Sequence, residues 1–281
     1  MKRYLFVLLF PVLFCGNILA HGIFDSLPSF GASAGLLVFH GAVGKNNNVS
    51  SLSAIRAGFS VFGQEQVHPY FDVALSGLFG NVSNVPTAQT EGLNFETKIA
   101  QADLSLIFHT EKLFPKSSVT PYAGIGFGFL GFTPYGDLYN NNGELYYYWS
   151  DGSIRNQAQN SNNMYTAKIL VLNYKFTTPL DPDNTYSHHT LIFPLQFGFN
   201  FNLLDNLNVR LGMNYYYTLS PWLDNVKGSG ANDSYIYWNV AIAYTLKRHP
   251  IAKSRADDRR YDKVDFSQFD ADFPKPEPAK K

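Results

Sequence analysis

Asp103, Ser105 and His109 share one parity of a single short stretch, and a carboxylate, a hydroxyl and an imidazole are the parts of a hydrolytic relay. On an extended chain, residues two apart are about 6.6–7 Å apart, too far for a hydrogen-bonded triad along one strand. This spacing predicts no enzyme. His188 and His189, preceded by Asp181, Pro182, Asp183 and Asn184, are of metal-ligand type. Adjacent histidines on an extended chain point in opposite directions, and the acidic run lacks the glycine and distal glutamate of a calcium loop. Both read as turn chemistry, and no metal or cofactor is expected. Tyr146, Tyr147, Tyr148 and Trp149 fit loop packing or a membrane-interface girdle better than a carbohydrate platform. Four charged residues remain, Arg56, Asp72, Asp103 and Arg210, whose meaning depends on which face of their elements they occupy.

Those elements show themselves by period-two alternation, the mark of a strand with two different environments. Residues 207–219 place Leu207, Val209, Leu211, Met213, Tyr215, Tyr217 and Leu219 on one face and Asn208, Arg210, Gly212, Asn214, Tyr216 and Thr218 on the other. Residues 191–203 and 234–246 repeat the pattern, with Pro194 as a blemish expected at a bulge or a strand start. Five weaker segments, residues 30–43, 52–62, 68–81, 98–109 and 119–132, complete a set of eight. Each is long enough to span a bilayer at a tilt, which takes about 9–11 residues. Gly124, Gly126 and Gly128 share one parity and would let the wall curve or leave room for a bulky neighbour.

The composition points the same way. Charged residues are 16% of the 281-residue chain, against about 25% in an ordinary soluble domain. Aromatics also reach 16%, and no stretch after the start of the chain is apolar for long enough to make a membrane helix. Zero net charge argues against a nucleic-acid surface. Residues 1–20 open with Lys2 and Arg3, continue through an apolar run to Phe14 and end at Ala20, which predicts a cleavable signal peptide. Lipidation at Cys15 is disfavoured by the bulky Phe14 before it. Cleavage removes the only cysteine, so no disulfide is expected.

The fold class expected is therefore all-β: an eight-stranded antiparallel transmembrane β-barrel over residues 21–246. Its connections alternate in length. Residues 64–67, 111–118 and 203–206 are short, whereas residues 44–51, 82–97, 133–189 and 220–233 are long and rich in Asn, Gly, Ser and Pro. Bacterial outer-membrane barrels keep short turns in the periplasm and long loops outside, so both termini are placed in the periplasm of a Gram-negative cell, with residues 133–189 as a long extracellular loop. The lumen of such a barrel is just wide enough for its own side chains. Arg56, Asp72, Asp103 and Arg210 are expected to form a paired interior network and not a channel. Arg56 and Asp72, nearly symmetric about a turn at Gln64, are expected to pair across one hairpin, relieving the cost of burying either alone.

Several stretches carry a family likeness: Gly35-Leu36-Leu37-Val38-Phe39, Gly92-Leu93-Asn94-Phe95-Glu96-Thr97, Pro121-Tyr122-Ala123-Gly124-Ile125-Gly126, the loop run from Tyr146 to Arg155, and the run from Tyr217 to Val226. Over residues 34–246 the chain resembles the outer-membrane barrel proteins of bacteria that possess type IX secretion and gliding machinery, including the barrel subunit of that secretion system. The resemblance implies a link between the outer membrane and periplasmic components of such a machine. It carries over no functional residue.

Residues 247–281 form a charged tail ending in proline-rich sequence, expected to be disordered in isolation. Tyr261, Phe266, Phe269 and Phe273 lie at roughly three-to-five-residue spacing, which would gather them on one face if the segment became helical on a partner. The functional expectation is an outer-membrane scaffold or anchor, in contact with outer-membrane lipid and holding a periplasmic partner by its tail. The alternatives are a small-solute transport protein and an extracellular-ligand receptor built on the long loop.

Overall fold

The computed structural model describes residues 28–41, 54–84, 94–204, 206–227 and 232–246. The expected signal peptide and the tail residues Tyr261, Phe266, Phe269 and Phe273 lie outside the described residues. In chain order the strands are β1 (Ser29–His40), β2 (Arg56–His68), β3 (Phe71–Asn84), β4 (Phe95–His109), β5 (Val119–Gly136), β6 (Tyr147–Tyr148), β7 (Ile154–Arg155), β8 (Thr178–Pro179), β9 (His189–Leu204), β10 (Leu207–Thr218) and β11 (Ser234–Thr245).

The eight long strands pair antiparallel, each with its neighbour in the chain, and β1 pairs with β11 from Ser29↔Thr245 to His40↔Ser234. The sheet thereby closes into an eight-stranded up-and-down barrel, as the alternation predicts. Large apolar side chains point outward: Ile125, Phe127 and Phe129 on β5, Phe197 and Phe199 on β9, Trp238, Val240 and Ile242 on β11. The opposite parity is buried, as at Ile192, Gln196 and Asn200 on β9. Short connections, including Pro69 and Tyr70, gather at the end where β1 begins and β11 finishes. The long ones gather at the other end.

Three local expectations are corrected. The β2–β3 turn lies at Pro69 and Tyr70, not at residues 64–67, and β2 runs on to His68. Gln64, Glu65 and Gln66 keep the strand alternation, and the ladder ends only at Pro69, which has no N–H to donate. At the long loop, β5 extends to Gly136 and not to residue 132, and the residues after it contain β6, β7 and β8. Pro194 sits in the middle of β9 with no change of register. Ile125 faces Leu195 and Gly128 faces Ile192, while Gly126 and Phe127 between them leave Pro194 and Phe193 unpaired on that side. On the β10 side the ladder is intact, with Tyr216 opposite Pro194. The missing N–H thus falls on the β5 edge, where a short gap in the ladder absorbs it.

Candidate functional site

The lumen is the natural place to look for chemistry, and its half nearer the turns is polar. Arg210 on β10 donates through Nη1 to Gln64 Oε1, and Gln64 Nε2 donates to Asp72 Oδ2 at 3.1 Å. His109 Nε2 lies 2.9 Å from the other Asp72 oxygen. Higher in the lumen, Asp103 accepts from Ser105 Oγ at 3.1 Å and Gln101 Nε2 at 3.3 Å, and Gln196 Nε2 donates to Ser105 at 3.0 Å. The hydroxyl of Tyr235 closes on Gln101. The β5 glycines make this cluster possible. A Cβ on Gly128 would stand 2.3 Å from the Ala102 carbonyl oxygen and 2.6 Å from Asp103 Cβ, and one on Gly126 would stand 2.4 Å from Ser105 Oγ.

Asp72 and Arg210 are therefore joined through Gln64, with His109 against Asp72, while Asp103 belongs to a separate hydrogen-bonded group with Ser105 and Gln101; Gln64 and His109 are additional to the four charged residues expected inside. Inward parity on β2 and β4 was the signal that could have found them. Arg56 does not join. It lies at the loop end, where its Nε donates to Glu96 and Glu96 also accepts from Asn81. The expected Arg56–Asp72 pair is corrected: Asp72 stands opposite Gln66, so the misplaced turn had put two residues from opposite ends of the barrel side by side. No triad forms along β4, but the expected spacing is corrected for one pair. Ser105 and Asp103 lean together and hydrogen-bond along one strand, although His109 turns to Asp72 and not to Ser105.

The half nearer the loops is apolar. Leu37, Leu78, Val82, Ile99, Leu130 and Phe132 pack with Tyr216, Tyr235 and Tyr237. Leu223 enters this cluster from the β10–β11 loop and is fully buried. Its N–H donates to Asp233 Oδ2 at 2.9 Å, and its carbonyl accepts from Thr97 Oγ1. Beside it, Trp222 stacks on Tyr186 of the long loop with ring centroids 4.5 Å apart, and the Tyr186 hydroxyl donates to Asn225. Leu223 follows Pro221 and Trp222 in its loop, and nothing in that run alone marks it as a plug.

The long loop is tied at both ends by buried carboxylates. Asp137 receives the N–H of Tyr174 at 2.8 Å, with those of Asn173 and Lys175 beside it. Tyr174 takes a φ of 54°, uncommon for an aromatic residue, and consecutive N–H groups so arranged form an anion nest. Burial pushes the Asp137 carboxyl up, and the backbone N–H of Tyr174, with those of Asn173 and Lys175 near it, offsets part of that. Burial, with the Asp137 charge next, pushes the Tyr148 hydroxyl up to about 12. At the other end, Asp181 Oδ1 accepts from Thr185 N at 2.8 Å and Thr185 Oγ1 at 2.9 Å, while Oδ2 lies 3.0 Å from His188 Nε2. Burial alone would raise Asp181. The hydrogen bonds from Thr185, His188 and Tyr186 outweigh it and hold the carboxyl below its ordinary value. His188 and Asp181 thus cap a turn. Of the aromatic cluster, Tyr146 and Trp149 are buried, and Trp149 donates to Gln157 O and carries the Arg155 guanidinium 4.0 Å above its ring.

The architecture is a closed eight-stranded antiparallel barrel with large apolar side chains on its outer face. Solved structures similar to it include Neisserial surface protein A, 10% identical, covering 78% of this chain and 97% of that one at a TM-score of 0.45. Another is Ail, the attachment invasion locus protein of Yersinia pestis, 8% identical, covering 79% and 100% at 0.39. A third is the outer membrane protein OprG of Pseudomonas aeruginosa, 9% identical, covering 80% and 98% at 0.33. No family model and no curated protein matches the chain.

Proposed function

We propose that this protein is a membrane-embedded anchor in the outer membrane of a Gram-negative bacterium, with both termini in the periplasm. It does not pass solutes and does not act as an enzyme. The observation that carries the reading is the filled lumen: a hydrogen-bonded network in one half and an apolar cluster plugged by Leu223 in the other. The outward belt of Ile125, Phe127, Phe129, Trp238 and Val240 suits lipid, since soluble monomers rarely expose contiguous apolar surface of this extent. The finer reading follows the resemblance. The tail, through Tyr261, Phe266, Phe269 and Phe273, holds a periplasmic component of secretion or gliding machinery.

The test is twofold. In planar bilayers the purified protein is expected to give no steady conductance, and a stable open level would sink the anchor reading. Detergent pull-down from cells with and without Lys247–Lys281 is expected to show a periplasmic protein lost with the tail, and Phe266→Ala with Phe269→Ala should reproduce most of that loss. Unchanged co-purification would remove the tail from the proposal. One observation favours a second reading, a receptor for an extracellular ligand. Met164, Tyr165, Ile169 and Val171 stand exposed on the long loop, Tyr165 at 93%. Removal of residues 158–171 with retention of every co-purifying periplasmic protein, but loss of surface binding, would support it.

A further inference from the structure

We propose that the polar cavity beside Arg210 is a binding site for one small monovalent inorganic anion of the halide class. Arg210 is only 9% exposed, and a guanidinium carries five N–H donors and keeps its charge in proteins. One donor goes to Gln64, while Nε, also buried, has no hydrogen-bond partner among the described residues. No carboxylate among them pairs with it directly; Asp72 is reached only by way of Gln64, which donates to it. The rings of Phe62 and Tyr122 lie 5.5 and 5.8 Å from the guanidinium carbon, and the Asp72 charge is joined to the guanidinium only through Gln64. A buried charge left in this state is costly.

The space next to it is chemically matched to that deficit. The cavity measures about 50 Å³ and is bordered by Ser33, Ser60, Ser76, Asn214 and Asn239, together with Arg210. Among the described residues Arg210 is the one charged member of its lining. Ser33 is engaged with Tyr237, but the Ser60 hydroxyl and the second amide hydrogens of Asn214 and Asn239, whose first go to Tyr216 and Tyr237, can donate to a negative ion beside a fixed positive charge. A single water needs only about 10–15 Å³ of such space. The cavity therefore has room for one halide with accompanying water, and none for a sugar, a nucleotide or a phosphate ester.

The direct test is diffraction from crystals of the full chain grown or soaked in bromide, measured at the bromine edge. An anomalous peak within hydrogen-bond distance of Arg210 Nε is expected. Water at that position with no anomalous signal would overturn the site. A second measurement follows thermal unfolding in detergent as chloride replaces gluconate at constant ionic strength. The wild type is expected to show an upward shift of the melting midpoint that saturates, and Arg210→Gln to lose it. A response of the same size in that variant, or none in the wild type, would also overturn the proposal. The bromide experiment needs no variant, so it decides even where Arg210→Gln fails to fold.

Discussion

At its loop end the lumen is closed by Leu37, Leu78, Val82, Ile99, Leu130 and Leu223, none more than 4% exposed, whereas at its turn end the space is taken by Arg210, Gln64, Asp72, His109 and Asp103. The apolar half draws stability from contact and from the removal of water, and is sensitive to lost volume. The polar half gains little net from each hydrogen bond, because each replaces one made to water, yet every unmatched donor or acceptor there is expensive. The two halves thus fail in different ways. One fails by leaving a hole, the other by stranding a partner or by losing the space its polar groups need.

Leu37→Ala should separate the two most sharply. It removes a fully buried side chain from the apolar half, and the expected loss is about 2–5 kcal/mol in urea titration of the detergent-folded barrel. A loss below about 1 kcal/mol would mean that the loop end repacks freely and is not the stabilising half. Gly128→Ala tests the polar half by overfilling it. The new Cβ would press on the Ala102 carbonyl and on Asp103, with an expected cost of about 1–3 kcal/mol in the same titration. A neutral result would show that the β5 glycines are not what makes room for Asp103.

Smaller effects sharpen the boundary between the halves. Arg56→Ala and Asp72→Ala should be additive within about 0.5 kcal/mol, because the residues lie at opposite ends of the barrel. Arg56→Ala and Glu96→Ala should couple, by no more than about 1 kcal/mol for a partly exposed pair. Coupling of Arg56 to Asp72 instead would contradict the register of β2 against β3.

The smallest effect is local and pH-dependent. Asp181 has a depressed folded pKa, so its contribution is fully present above the ordinary value of 3.8 and is lost as pH falls through the lower folded value. Asp137 is the reverse: its raised folded pKa gives a contribution present below 3.8 and lost as pH rises through the higher folded value. Hydrogen exchange at pH 3 against pH 6 should show Thr185 and Tyr186 amides loosening on acidification while those of Asn173, Tyr174 and Lys175 tighten. Movement of both groups in one direction would refute the assignment.

The fold was legible wherever a strand alternates without interruption. β9, β10 and β11 each place a nearly unbroken run of large apolar residues on one parity, and the barrel follows from them. The β2–β3 turn was not legible, because Gln64, Glu65 and Gln66 are polar in type yet extended in fact, and composition cannot tell a polar strand end from a turn. That error moved Asp72 to the wrong partner and hid Gln64 and His109 as its neighbours. Ser105 and Asp103 show a second limit: backbone spacing bounds where two Cα atoms sit, but side chains on one face can lean across the gap. Leu223 shows a third, since no local pattern reveals that a loop residue will fill a lumen built from eight distant segments.

The ladder between β1 and β11 has a consequence for how the molecule comes into being. It joins the first barrel strand to the last, across more than two hundred residues of chain, so no portion of the barrel can close before Ser234–Thr245 is delivered. Until then β1 and β10 are bare edges, each with a row of unpaired backbone groups open to any other strand nearby. Such non-local pairing is slow, since loop entropy is lost before any contact rewards it. Closure thus waits on the last strand, and a sheet still lacking it presents two open seams.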